Sequence, residues 1–194
     1  MKVSKKGLTL SDVLVTVMVA VVFAIIYNLC WLPYEMLQPI GLHIEQLMYG
    51  IWFMAAIVAY LIVPKMGVAL LSEFAAGAGE TIVMGKFDIP TFVFAFLQGL
   101  ACEIVFMIFK YQSRTAMVCI LAGVAAALIS LPIDYFYGYM GEVAAWNLIL
   151  YIVFRIISGI VVAGLLSYLI VKALEKTGVT RLFSPVSKED YDAL

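Results

Sequence analysis

Six long apolar runs constrain this chain more than any other feature of its sequence. A helix that crosses a bilayer needs about 20 largely apolar residues, and six stretches come close to or exceed that length. Their predicted limits are Leu10–Leu32, Gln46–Val63, Gly67–Gly85, Thr91–Phe109, Thr115–Tyr137 and Trp146–Leu174. The links between them are too short for a separate soluble domain. We therefore predict an all-α integral membrane protein, a compact bundle of six transmembrane helices in a single domain over residues 1–194.

The composition agrees with a lipid environment. Of the 194 residues, 65% are hydrophobic and 13% are charged, which is about half the charged share of a soluble domain. The net charge of −1 provides no basic surface, so we expect no nucleic-acid partner. Cys30, Cys102 and Cys119 stand in apolar runs and match no metal-ligand spacing. We expect packing roles for them, and we predict neither a metal site nor a cofactor.

Catalytic signatures are absent from the sequence. It contains no H-E-x-x-H, no G-x-S-x-G and no Walker motif. Its single histidine, His43, lies in a link between spans, where a solvated or capping role is expected. We predict that the chain is not an enzyme and that it has no energy source of its own.

The basic residues predict the orientation of the bundle. If the N-terminus is inside, ten of the twelve lysines and arginines fall on the cytoplasmic side, Lys86 falls outside, and Arg155 lies within the sixth span. The ten are Lys2, Lys5, Lys6, Lys65, Lys110, Arg114, Lys172, Lys176, Arg181 and Lys188. Cytoplasmic segments carry such an excess of positive charge, so both termini are predicted to be cytoplasmic.

Five ionisable residues, Glu73, Glu80, Glu103, Asp134 and Arg155, fall well within the predicted spans. Near the bilayer centre each costs ~2.5–3.5 kcal/mol, so each needs a partner or an aqueous cavity. Glu73, Glu103 and Arg155 lie at similar depths, and we expect them to pair within the bundle. Glu80 and Asp134 lie in the outer half, where water and ligands can enter. One arginine cannot neutralise four acids, so protons or a cationic ligand must offset the remaining negative charge.

Polar and aromatic side chains near the outer helix ends favour a ligand site. Gln98 lies near the depth of Glu80, and Asn147 and Tyr151 are four residues apart at the outer end of the sixth span. Such a set within an aromatic rim is typical of a small-molecule site, whereas an interfacial aromatic belt explains some of the rings equally well. The rings on this face are Trp31, Tyr34, Tyr135, Tyr137, Tyr139 and Trp146. We expect a pocket that is open to the outside and accepts a cation or an amidine-like heterocycle.

Two other segments carry predictions. The stretch PYEMLQPIGLHIE, residues 33–45, is too polar to span and too apolar to be fully solvated, so we expect it to fold back as a lid or a short interfacial segment. In the first span, Ala20 and Ala24 form an A-x-x-x-A stripe that permits close helix contact. We predict that a partner helix docks there.

Four blocks of the sequence resemble a known family of membrane proteins. They are MYGIWFMAAIVAYLI at 48–62, GVALLSEFAAGAGE at 67–80, FLQGLACEIVF at 96–106 and VFRIISGIVVAGLL at 153–166. They are similar to the YkoE-type substrate-binding (S) components of energy-coupling factor (ECF) transporters, a group associated with thiamin or its hydroxymethylpyrimidine (HMP) precursor. The resemblance implies a six-helix bundle in the bacterial plasma membrane that captures a vitamin outside. It further implies delivery through a T-type membrane protein coupled to two cytoplasmic ATPase subunits.

The resemblance does not by itself decide which residues contact the ligand, but the chemistry of thiamin leads us to expect particular contacts. Thiamin carries a cationic thiazolium ring and an aminopyrimidine that pairs with a carboxylate, so Glu80 is expected to bind one of these rings with Gln98 and Asp134 assisting. The stacking rings are expected to be Trp31, Tyr137, Trp146 and Tyr151. An alternative is a stand-alone proton-coupled secondary transporter of a small cationic solute that uses Glu73 and Glu103 as relays. A small intramembrane enzyme is a third, weaker alternative.

Overall fold

The structure is a computed structural model that describes residues 7–140 and 145–178, and every regular element in these ranges is helical. The α-helices are α1 Leu10–Leu37, α2 Met54–Ile62, α3 Val68–Met84, α4 Ile89–Ile108, α5 Ala116–Phe136, α6 Ala145–Ser158 and α7 Ser167–Thr177. Three 3-10 turns, Gln38–Ile40, Ile44–Leu47 and Tyr49–Phe53, lie between α1 and α2. A π-helical segment, Gly159–Leu166, joins α6 to α7. The all-α prediction is confirmed for the described residues.

Five helical stretches in the described ranges are long and apolar enough to cross a membrane. They are Leu10–Ile40, Ile44–Ile62, Ile89–Ile108, Ala116–Phe136 and Trp146–Thr177. The third predicted span corresponds to α3, which has 17 residues and is shorter than these five. The arrangement fits a multi-pass membrane bundle, and the count of six spans stays a prediction.

Helix α1 is longer than predicted. Its start is fixed by Thr9 and Asp12, which form a capping box: the Thr9 amide donates to Asp12 Oδ2 at 2.7 Å, and Thr9 Oγ1 accepts from the Asp12 amide at 3.3 Å. The sequence predicted that the helix ends before Pro33, but it continues to Leu37. A proline removes one backbone hydrogen bond, and membrane helices tolerate that loss where neighbouring groups compensate.

The second predicted span is only partly α-helical. Its first half consists of 3-10 turns, and regular α-helix begins at Met54. The Gly50 amide donates to Ser158 Oγ at 2.7 Å, and Ser158 Oγ donates to the Leu47 carbonyl at 2.6 Å. A Cβ atom added to Gly50 would lie 2.5 Å from the Ser158 carbonyl oxygen. The backbone therefore packs directly against α6, and this contact holds the turn in place.

Small residues pack the helices of this chain against each other. Ala20 and Ala24 are buried, and a Cβ atom added to Gly79 on α3 would lie 2.7 Å from the Ala24 Cβ. The predicted docking of a partner helix on this stripe is therefore wrong, because α3 of the same chain occupies it. A Cβ atom on Gly77 would likewise lie 2.5 Å from the Ala95 Cβ of α4. Close helix approach needs small side chains whichever helix is the neighbour, so the motif alone could not identify the partner.

The two ends of the bundle are built differently. The packed end is formed by Thr9 and by residues 64–67 and 110–115, and there Tyr60 stacks on Phe106 with ring centroids 3.7 Å apart. The opposite end, formed by residues 38–53 and 85–90, surrounds a cavity and is called the cavity end. Part of the predicted lid, residues 38–45, lies there as 3-10 turns and their link.

Candidate functional site

A cavity of about 730 Å³ lies at the cavity end, within the size range of small-molecule sites. Its aromatic lining is Tyr27, Trp31, Tyr34, Tyr49, Trp52, Phe94, Tyr139 and Tyr151. Its ionisable lining besides tyrosine is His43, Glu45, Glu73, Glu80, Lys86, Asp88 and Asp134. Five carboxylates therefore face this cavity together with one lysine and one histidine. The lining suits a ligand that combines flat apolar surface with positive charge.

Arg155 is fully buried beside the cavity, and its ion pair is with Asp134. The Nη2 atom lies 2.9 Å from Asp134 Oδ2. Tyr151 bridges the pair, because its hydroxyl accepts from Arg155 Nη2 at 2.7 Å and donates to Asp134 Oδ2 at 2.9 Å. Arg155 also donates from Nε to Gln46 Oε1 at 2.7 Å, and its guanidinium lies 3.2 Å from the centroid of the Tyr49 ring. Burial of an arginine costs least when its donors and its charge are all satisfied in this way.

This arrangement corrects the predicted partners of Arg155. The sequence analysis expected Glu73 or Glu103 to neutralise it, from depth along each helix. In the structure the partner is Asp134, which was placed nearer the outer surface. Depth counted in residues ignores the rotation of each helix and the length of the arginine side chain, and these decide which carboxylate the guanidinium reaches.

Glu73 instead caps a helix inside the bundle. Its Oε2 atom accepts from the Ala56 amide, in the first turn of α2, at 3.0 Å. The Tyr27 hydroxyl donates to the same carboxylate at 3.0 and 3.1 Å and accepts from the Ala55 amide at 3.1 Å. The positive end of the helix dipole and the free amides of the first turn stabilise a carboxylate. Glu73 therefore needs no arginine.

Glu103 likewise caps the start of a helix, at the packed end. Its carboxylate accepts from the amides of Gly67, Ala69 and Leu70, at 2.6, 3.1 and 3.2 Å, where α3 begins. The Tyr111 hydroxyl adds a fourth donor at 2.8 Å. Burial and then this hydrogen bond raise the pKa of Tyr111, which keeps the phenol protonated as the donor. Glu103 is thus saturated with hydrogen bonds.

Glu80 differs from these three carboxylates. It is 4% exposed, and it accepts one hydrogen bond, from Trp52 Nε1 at 2.9 Å. Among the described residues no lysine, arginine or histidine nitrogen lies within 4.0 Å of it. A buried carboxylate with one neutral donor is poorly compensated. Of the four acids predicted well within the spans, Glu80 is the one whose charge is least compensated by the described residues.

Aromatic rings pack around Trp52, the hydrogen-bond partner of Glu80. The Trp52 ring has centroid distances of 5.3 Å to Tyr34, 6.1 Å to Trp31 and 6.4 Å to Tyr27. Such distances are those of stacked and edge-to-face pairs. Aromatic ring faces attract cations, so the cluster around Glu80 is suited to a positively charged ring.

Three polar atoms on the cavity wall have no hydrogen-bond partner among the described residues. They are Gln98 Nε2, Glu45 Oε2 and His43 Nε2. Gln98 is 1% exposed and Glu45 is 3% exposed. Buried polar groups are nearly always hydrogen-bonded, so these atoms are available to a ligand.

The mouth of the cavity includes Tyr139, in the turn after α5. Burial and then the charges of Asp88 and Asp134 raise the pKa of its phenol. The hydroxyl therefore stays protonated near neutral pH and can donate a hydrogen bond.

The structure brings together five of the eight residues predicted to bind ligand. Glu80, Gln98, Asp134, Trp31 and Tyr151 line the cavity. The other three are Tyr137, Trp146 and Asn147, which are not part of the lining. Trp146 is 61% exposed, and Asn147 donates to the Gly41 carbonyl at 3.2 Å.

Several lining residues were missed by the sequence analysis. Gln46, Tyr49 and Trp52 were counted as part of a spanning helix, and Glu45 was counted as part of the preceding link. The 3-10 turns bring these residues to one side of the cavity. The aromatic density of MYGIWF was a signal that could have marked this stretch.

Comparisons with known proteins agree with this description. A family model described as "ABC-type cobalt transport system, permease component" matches residues 11–129. The "Putative HMP/thiamine permease protein YkoE" of Bacillus subtilis (strain 168) is 29% identical over 178 residues, which is 90% of this chain and 88% of that protein. A solved structure described as "Crystal structure of an S-component of ECF transporter" matches with a TM-score of 0.84 and 29% identity, over 92% of this chain and 91% of the other.

Proposed function

Because this chain belongs to the family of ABC-type cobalt transport permease components and to the S components of ECF transporters, we propose that it is the vitamin-binding subunit of an ATP-driven importer. Its proposed ligand is thiamin or HMP, as the name of the Bacillus subtilis relative suggests. The proposed partners are a T-type membrane protein and two cytoplasmic ATPase subunits, which would drive the transport step.

The poorly compensated charge of Glu80 is the observation that supports this proposal most directly. Its buried carboxylate faces a cavity with one neutral donor, so a cationic ligand would supply the missing positive charge. The rings around Trp52 provide flat surface for a thiazolium ring, which has no N–H and is held by charge and ring faces. The cobalt in the family description would call for nitrogen, oxygen or sulfur ligands around one ion, whereas these rings suit an organic ligand.

The proposed orientation places the cavity end outside. The packed end and α7 carry Lys65, Lys110, Arg114, Lys172 and Lys176. At the cavity end, the lysine found among the described residues is Lys86. The excess of positive charge favours a cytoplasmic packed end, so the cavity would open to the vitamin supply.

The geometry gives less support to a stand-alone proton-coupled transporter. Glu73 and Glu103 were its expected relays, and each accepts hydrogen bonds from the first turn of a helix. A proton on either carboxylate would weaken that helix start. Uptake by proteoliposomes containing this chain alone, under a proton gradient, would support the alternative and contradict the importer proposal.

Calorimetric titration of the detergent-purified protein tests the proposed ligand. Thiamin, its phosphates and HMP are titrated into the wild type, and we expect thiamin or HMP to bind. Glu80→Gln should then raise the Kd for thiamin by about 10- to 100-fold, the usual loss for one charged interaction. No binding of any of these compounds would overturn the ligand assignment.

Two control variants, Glu35→Gln for Glu80→Gln and Trp146→Ala for Trp31→Ala, test whether the effect comes from the cavity. Glu35→Gln removes the same charge from an exposed residue of α1 near the cavity end of the bundle, and it should leave the Kd for thiamin unchanged. Trp31→Ala removes a lining ring and should weaken binding, whereas Trp146→Ala removes an exposed ring outside the lining and should not. Equal Kd values for Glu80→Gln and wild type would remove Glu80 from the site.

A further inference from the structure

Glu45 is a second buried carboxylate that faces the cavity and that the proposed function does not use. It lies in the 3-10 turn Ile44–Leu47 and is 3% exposed. Its Oε1 atom is hydrogen-bonded to Gln46 Nε2 at 3.2 Å and lies 3.1 Å from His43 Nδ1. Its Oε2 atom has no partner among the described residues. One oxygen is therefore anchored and the other is free at the cavity wall.

The position of Glu45 is fixed through the Arg155 cluster. Gln46 accepts from Arg155 Nε through its amide oxygen, at 2.7 Å. Its Nε2 atom then donates to Glu45 Oε1 and to the Tyr34 hydroxyl at 2.8 Å. All the polar atoms of the Gln46 amide group are thus engaged, and the Glu45 carboxylate is oriented by this amide together with the His43 ring. The positive charge of Arg155 itself is paired with Asp134.

Two aromatic rings lie between Glu45 and Glu80. From Glu80 the contacts lead to the Trp52 indole, from its ring to that of Tyr34, and from the Tyr34 hydroxyl to Gln46 beside Glu45. The lining of one cavity therefore holds two acidic positions that are linked by an aromatic wall.

The two positions differ in what they can bind. The rings around Glu80 suit a cation that has no hydrogen to donate. Glu45 Oε2 is an unoccupied acceptor, so it suits an N–H group. Gln98 Nε2 is an unoccupied donor on the same cavity and can meet a ring nitrogen. Donor and acceptor atoms of this kind are carried by an amino-substituted nitrogen heterocycle.

We propose that Glu45 determines specificity by binding the amino group of the ligand's heterocycle, while Glu80 binds a separate, permanently cationic ring. This inference rests on the proposed function and deepens it. A ligand that carries both groups gains both interactions, and a ligand that carries one gains only the corresponding one. Thiamin belongs to the first class, whereas HMP and the N-methylated thiazolium half of thiamin belong to the second.

Calorimetry with these three compounds on Glu45→Gln and Glu80→Gln tests the assignment, with Glu35→Gln as the control for charge. Glu45→Gln should raise the Kd for thiamin and for HMP by about tenfold or more, and should raise the Kd for the thiazolium compound much less. Glu80→Gln should show the reverse order, with the larger increase for the thiazolium compound. Glu35→Gln should change none of the three.

A measurement on the wild type alone guards against misfolding of a variant. The thiamin analogue in which hydrogen replaces the exocyclic amino group should bind about tenfold or more weakly than thiamin. Equal affinity for the two, or equal effects of Glu45→Gln on all three compounds, would overturn the role of Glu45 and leave the proposed function intact. A wild type that binds none of the compounds would overturn the proposed function, and the role of Glu45 with it.

Discussion

Glu103 at the packed end and Glu80 at the cavity end are both buried glutamates, but they have opposite surroundings. Glu103 accepts from three backbone amides and one phenol, and these bonds tie α4 to the start of α3. Glu80 accepts from one indole. A saturated carboxylate contributes to folding, whereas an unsaturated one can still accept a hydrogen bond or pair with a charge from a ligand. Under the proposed function, Glu103 stabilises the bundle and Glu80 binds the ligand.

Arg155 shows that this division does not follow distance from the cavity. It lies beside the cavity lining, yet its contacts with Asp134, Tyr151, Gln46 and Ser130 are as complete as those of Glu103. Its cluster orients the cavity wall without providing an open charge. Three sets of variants test the difference between the saturated groups and Glu80.

The largest effect on stability is expected from Arg155→Met. It leaves Asp134 buried without its cation, a change that costs about 3–5 kcal/mol in other proteins. Thermal unfolding in detergent should show a much lower midpoint for Arg155→Met than for wild type. Adding Asp134→Asn should restore part of the loss, because the uncompensated charge is then gone. A single variant as stable as wild type would show that the cluster does not hold the bundle together.

A smaller loss is expected from Glu103→Gln at the packed end. The amide keeps one acceptor oxygen but lacks the charge that faces the start of α3, and a charged hydrogen bond contributes about 1.5–3 kcal/mol. The unfolding midpoint should fall, while the Kd for thiamin should stay at the wild-type value. Glu35→Gln serves as the control, since this exposed residue should leave both quantities unaltered. A change in Kd with an unchanged midpoint would reverse the roles given to the two ends.

The smallest effect, and one of opposite sign, is expected from Glu80→Gln in the absence of ligand. Removing a poorly compensated buried charge should leave the free energy of unfolding unchanged or raise it by up to about 1 kcal/mol. The same variant should lose affinity for thiamin, so its affinity should fall while its free energy of unfolding does not. If Glu80→Gln unfolded as readily as Glu103→Gln, both glutamates would be structural and the comparison would fail.

The local sequence predicted much of the helical framework but not its details at the cavity end. The apolar runs located all the helices of the described ranges to within a few residues at most boundaries, apart from the extension of α1 to Leu37 and the 3-10 turns before α2. Those turns depend on the contact of Gly50 with Ser158, which lies 108 residues further along the chain. Hydrophobicity does not record such a contact, so Glu45 and Trp52 were not placed at the site.

Hydropathy and spacing along the chain were sufficient to predict a helical protein in a lipid environment. They also predicted that its buried charges would need compensation, namely Glu73, Glu80, Glu103, Asp134 and Arg155. These conclusions follow from hydropathy and from the fixed rise of a helix, which are local properties. How each charge is compensated became visible in the folded bundle: Glu73 and Glu103 are compensated by helix starts, and Arg155 by Asp134. The compensation of a buried charge depends on atoms within a few ångströms, and these come from residues distant in the chain. Glu80, with one neutral donor, was left open by the same packing.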